Sequence, residues 1–160
     1  MNEVLRQFCH WLQNQEFSLA LGGSTWVFPY SQLVHYTGMS ILLGTTLLVD
    51  FCFLGWFKRR QTPAEFAKDL TVLNWTGFGL GLVGAFLLFA GAAETYFNNA
   101  AFRIKIPIVL FGLVYHLFMQ VKGKDWGKSM TVPGVAKMAA FFEVVIWFSV
   151  VLAATRIPNQ

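Results

Sequence analysis

Apolar and polar positions divide the chain into long apolar runs with short polar breaks between them. Gly22 and Gly23 interrupt the first segment, and residues 24–29 lead into the first run. Pro29 suits a first helical turn, where its missing N–H costs nothing. The run then continues for about twenty-five residues, long enough to cross a ~30 Å hydrocarbon core as a helix, and ends at Lys58, Arg59 and Arg60. Three further runs follow, and the pattern predicts spans over about 30–57, 71–97, 102–121 and 135–157. Short connections make consecutive spans antiparallel neighbours, so the expected fold is all-α, a four-helix transmembrane bundle over residues 24–160. Thr62 and Glu65, at capping-box spacing, predict a brief surface helix before the second span.

Residues 1–23 have a different period. Val4, Leu5, Phe8, Trp11 and Leu12 fall on one helical face and Arg6, His10 and Gln13 on the other, which predicts a short amphipathic helix lying in the membrane interface. No apolar core of a cleavable signal is present, so this segment is expected to be retained, with His10 on its wet face.

Composition and charge agree with this layout. Of 160 residues, 56% are hydrophobic and 12% charged, against about 45–50% apolar in soluble domains. The net charge of +4 comes from basic residues beside the spans rather than along one polar surface, so the expected partner is a lipid bilayer and not nucleic acid. One side carries Lys58, Arg59, Arg60, Lys68, Lys122, Lys124, Lys128 and Lys137; the other carries Arg6, Arg103, Lys105 and Arg156. The positive-inside rule makes the first side cytoplasmic and puts both termini outside. Trp11, Trp26, Tyr30 and Tyr96 then mark the outer boundary and Trp56, Trp75 and Trp126 the inner one. Cys9 and Cys52 fall near opposite faces, so no disulfide is expected, and they lack metal-site spacing.

Gly77, Gly84 and Gly91 recur every seven residues in the second span, and Gly77 with Gly81 forms a small-xxx-small pair. That face is expected to carry either a closely packed helix or a flat cofactor.

A family resemblance rests on W-x-F-P at Trp26 to Pro29, followed by His35, Gly38, Gly44, Asp50 and Gly55. It continues through Leu73-Asn74-Trp75 to Gly77-Phe78, Leu88-Phe89-Ala90, Phe102 with Lys105, His116, and Trp147 with Arg156. On these residues the chain from about Trp26 onward resembles an uncharacterised family of four-helix bacterial inner-membrane proteins. The layout is similar to that of copper-resistance-type and small b-type cytochrome membrane proteins, and this resemblance implies a redox or metal role. Glu143 stands where that pattern has a small polar residue, and Thr155 where it has glycine.

Titratable groups inside spans are costly and so mark sites. His35 lies roughly 7 Å inside the outer boundary and His116 roughly 9 Å from the inner one, about 14 Å apart in depth. Two axial ligands of one iron stand only about 4 Å apart, so these histidines are not expected to share a haem within one subunit unless the spans tilt or shift. Glu143 falls at nearly the depth of His116, and the two are expected to pair, as structural glue, as the orienting partner of a ligand, or as a proton relay. Glu94 and Lys105 are expected to form a salt bridge near the outer boundary, and Asp50 to anchor the inner face beside Lys58 and Arg59. His35 is either an axial haem ligand, with Gly38 leaving room for a flat ring, or a hydrogen-bonded interhelical contact; His116 with Gly112 poses the same choice. No CxxCH occurs, so covalent haem is excluded, while b-type haem leaves no motif.

With no G-x-S-x-G, P-loop or H-E-x-x-H, hydrolytic and phosphoryl-transfer classes drop out. Three expectations remain. The first is an electron-transfer subunit holding haem b, working between quinol and an outer-face redox partner. The second is a cofactor-free accessory subunit docking a larger membrane complex or a second copy of itself. The third is a proton- or metal-ion-conducting module using His116, Glu143 and His35.

Overall fold

The computed structural model describes residues 2–56 and 60–155, apart from the side chain of Asn2. Lys58, Arg59 and Arg156, used in the charge count, lie outside the described residues, as do the expected ends of the first and fourth spans. Among the described residues the secondary structure is helical: α1 (Asn2–Gln13), α2 (Glu16–Gly23), α3 (Val27–Leu54), α4 (Pro63–Gly91), α5 (Ala93–Asn98), α6 (Ala100–Trp126) and α7 (Gly134–Thr155). Helices α3, α4, α6 and α7 are each long and apolar enough to cross a bilayer. Their outward faces expose Val72, Val83, Phe86, Phe111, Val135 and Phe148, a surface suited to lipid.

Helix ends depart from the hydropathy runs where polar residues extend a helix beyond its apolar core. The predicted surface turn at Thr62 is the first turn of α4 itself. Thr62 Oγ1 accepts from the Glu65 N–H at 3.3 Å, and the Glu65 carboxylate accepts from the Thr62 N–H at 2.8 Å. At its other end α4 stops at Gly91, and the residues expected to finish the second span form α5. Helix α6 begins under the Asn99 side chain, which accepts from the Ala101 and Phe102 N–H groups, and runs on to Trp126. Helix α3 ends at Gly55, whose φ of 81° is the left-handed conformation of a helix C-cap.

The tightest seam joins α3 to α4. Gly38 of α3 lies on the α4 backbone, where an added Cβ would stand 2.7 Å from the Gly77 carbonyl oxygen. Gly84 in turn lies against the backbone of His35. The glycine face of α4 therefore receives helix α3, the packing alternative, and not a flat group. Gly91 continues the stripe and receives Gly22 of α2. The segment expected as one interfacial helix over 1–23 is two helices, because the chain breaks after Gln13 and α2 turns in to bury Ser18. Cys9 and Leu12 of α1 close over Ala90 and Ala93, so α1, α2 and α5 cap one end of the bundle.

At the other end Phe53, Met119, Ala136, Ala139 and Ala140 join α3, α6 and α7. Tyr115 donates to the Ala139 carbonyl at 3.0 Å, tying α6 to α7. Helices α4 and α6 touch only sparsely, bridged by a hydrogen bond from Trp75 Nε1 to Gln120 Oε1 at 3.2 Å. The gap between them positions the site.

Candidate functional site

Each of the four long helices sends polar side chains into the interior beside this gap. On α3, Leu42, Thr45, Thr46, Asp50 and Phe53 recur at helical spacing on the buried face. Asn74 lies one turn before Gly77 on the α4 face turned toward α3; His116 and Gln120 lie one turn apart on α6; Glu143 comes from α7. Asp50 is 1% exposed, Glu143 2%, Asn74 5% and His116 6%.

His116 Nδ1 lies 2.6 Å from Glu143 Oε1, and its Nε2 lies 3.0 Å from Asn74 Oδ1 and 2.9 Å from Gln120 Nε2. Asn74 donates from Nδ2 to Thr45 Oγ1 at 2.8 Å and to Thr46 Oγ1 at 3.1 Å, so its amide oxygen points at the imidazole. Trp75 donates to Gln120 Oε1, which leaves the Gln120 amide nitrogen facing His116. The ring therefore meets an acceptor and a donor on one side and a carboxyl on the other. With Nε2–H donating to Asn74, Nδ1 accepts a proton held by Glu143; with Nδ1–H donating to Glu143, Nε2 accepts from Gln120. The two arrangements differ by one proton: the first holds one on Glu143 and one on Nε2, the second only the one on Nδ1, so the cluster passes between them by taking up or giving off a proton.

The Asp50 carboxyl is in hydrogen-bond contact with that of Glu143. Two carboxyls in contact require a proton between them, since two bare carboxylates repel. Among the described residues no donor reaches Asp50 Oδ2. Asp50 thus turns inward to Glu143 rather than anchoring the inner face, because it shares the buried α3 face with Thr46 and Phe53. Its expected partners Lys58 and Arg59 lie outside the described residues.

These groups line a cavity of about 680 Å³. Asp50, Asn74, His116 and Glu143 form its floor; Val49, Phe53 and Met119 supply apolar wall; exposed Glu65, Lys68 and Lys124 stand at its mouth, where α4 begins and α6 ends. The cavity connects a buried acid–acid–imidazole cluster to one end of the bundle. Among the described residues no group of three or more His, Cys, Asp or Glu side chains is arranged to hold a metal ion.

The other expected site residues are placed elsewhere. His35 Nδ1–H donates to the Gly81 carbonyl at 2.8 Å, and Lys105 lies within electrostatic reach of this ring. Glu94 pairs not with Lys105 but with His10, at 3.9 Å, since the chain turns at Ala92 and carries Glu94 toward α1. Gly38 leaves no room for a flat ring, because the α4 backbone fills that space; Gly112 leaves none, because a Cβ there would stand 3.1 Å from Ile146. His116 has both nitrogens engaged. A haem between His35 and His116 within one chain does not fit these residues.

Sequence reasoning missed Asn74, Gln120, Thr45 and Thr46 as members of the cluster. Their signal was one of spacing: Asn74 lies three residues before Gly77, on the stripe that meets α3, and Gln120 four after His116.

The family of unknown function DUF6644 matches residues 17–158, from α2 through the four long helices. No curated protein and no solved structure matches the chain.

Proposed function

This chain belongs to the family of unknown function DUF6644, and we propose that it is a multi-pass membrane protein that takes up and releases protons at Asp50, Glu143 and His116. The observation that carries this is the buried contact of two carboxyls and one imidazole at the floor of a cavity reaching a single end of the bundle. Glu143 touches both Asp50 and His116, so it is the group through which a proton passes between them. Above the cluster the closely packed α3–α4 seam supports exchange with one side only. By the positive-inside rule that side, bearing Lys68 and Lys124, is the cytoplasmic face of a bacterial inner membrane, with both termini periplasmic.

The test is proton uptake by the purified chain on rapid acidification, followed with a pH dye. Wild-type protein is expected to take up more protons than Asp50→Asn or Glu143→Gln, by about one per chain for each variant. Equal uptake by all three overturns the proposal.

A second reading, a haem b electron-transfer subunit, has one supporting observation. With Nδ1–H given to Gly81, the Nε2 lone pair of His35 is left as an acceptor, the orientation in which backbone-held histidines bind metals. The second axial ligand would come from outside this chain. Haem-replete protein is then expected to show a reduced-minus-oxidised band that His35→Ala removes; a featureless spectrum, with no proton uptake either, leaves the accessory-subunit role.

A further inference from the structure

The cavity is larger than a proton relay needs. A few ordered waters would suffice to wet Asp50, whereas about 680 Å³ lies in the ~300–1,000 Å³ range of small-molecule sites. Its make-up is apolar wall, with Val49, Phe53 and Met119, above a floor of acceptors with no matching cation among the described residues. Asp50, 1% exposed, presents Oδ2 with no donor among the described residues. The Lys68 and Lys124 ammonium groups stand at the exposed mouth rather than at the floor.

Charge counting says what would complete the floor. Two carboxylates with a neutral imidazole carry a charge of −2; one proton shared by the carboxyls leaves −1, and a second makes the cluster neutral. A buried net charge in an apolar bundle is costly, so the cluster holds either a second proton or a cation in its place. A protonated amine brings N–H donors to Oδ2 and one positive charge, and its hydrocarbon part meets the cavity wall.

We infer that the cavity binds a small apolar organic ammonium ion, whose charged nitrogen takes the position of one proton beside Asp50. This rests on the proton-exchange reading of the same cluster. The exchange balances: the doubly protonated cluster takes up one monocation and releases one proton toward the side of Lys68 and Lys124. Other titratable groups facing the cluster or the cavity are His116 and Tyr115 from α6, Glu143 from α7, Glu65 and Lys68 from α4, and Lys124.

The test is calorimetric titration of the purified full chain with benzylammonium, and with benzyl alcohol as its neutral counterpart. Each titration is run in two buffers of different protonation enthalpy. Benzylammonium is expected to bind once per chain, at least about tenfold tighter than benzyl alcohol, releasing about one proton, and Asp50→Asn is expected to abolish both effects. Equal affinity for the two compounds, or no binding of benzylammonium, overturns the inference, and this comparison needs no variant to fold. If proton uptake still depends on Asp50 and Glu143 while benzylammonium does not bind, only the cation site fails. If uptake is also independent of them, the proton-exchange reading fails with it.

Discussion

Replacing Gly38 with leucine is expected to destroy the bundle. The Cβ alone would press on the α4 backbone at Gly81 and at the Gly77 carbonyl oxygen, 2.7 Å away for the latter, and backbone inside a continuous helix cannot turn aside as a side chain can. Overpacking typically costs about 1–3 kcal/mol and occasionally more; with α4 unable to yield, the expected loss is at or above about 3 kcal/mol. Gly44 and Gly79 supply the control, since among the described residues nothing lies within 4 Å of a Cβ added at either. Alanine there should leave stability unchanged or raise it by up to about 1 kcal/mol through helix propensity. Thermal unfolding in detergent micelles, followed by helical circular dichroism, checks both. A Gly38→Leu protein as stable as Gly44→Ala would mean that the α3–α4 seam is not the frame of the fold.

Glu143→Ala is expected to have the second largest effect. It removes the partner of both His116 Nδ1 and Asp50 while leaving those groups 6% and 1% exposed. Breaking a buried pair by deleting one member costs about 3–5 kcal/mol, because the remaining group is stranded without a partner. Glu143→Gln should cost much less: its amide can still bond to both neighbours but cannot give up a proton. Stability and proton uptake therefore separate. The alanine variant loses both, whereas the glutamine variant keeps the fold and loses exchange. Comparing melting of the two variants decides whether Glu143 is held for its hydrogen bonds alone; similar losses would show that the bonds to His116 and Asp50 do not hold the cluster.

The spans were legible because an apolar run of bilayer length marks a helix without reference to its neighbours. Their ends were less so: hydropathy marks the apolar core, while α4 starts at Pro63 and α6 continues through Lys122 and Lys124. Depth arithmetic brought His116 and Glu143 together because rise per residue is fixed along two helices running in opposite directions. The same arithmetic failed for Glu94 and Lys105. Depth says nothing of direction around a helix axis, and the turn at Ala92 sends Glu94 toward His10 while Lys105 sits near His35. Asp50 was misplaced because its nearness in sequence to Lys58 and Arg59 outweighed its helical spacing with Thr46. Room beside Gly38 and Gly112 could not be judged from the sequence, because a missing side chain looks the same whether a ring or a helix fills the space.

Infrared difference spectroscopy of the carboxylic C=O stretch reads out the proton that Asp50 and Glu143 share inside the bundle. A band that shifts in D2O, responds to acidification, and disappears in both Asp50→Asn and Glu143→Gln is the expected result. Two fully ionised carboxylates near neutral pH, with no C=O band sensitive to either substitution, would contradict it.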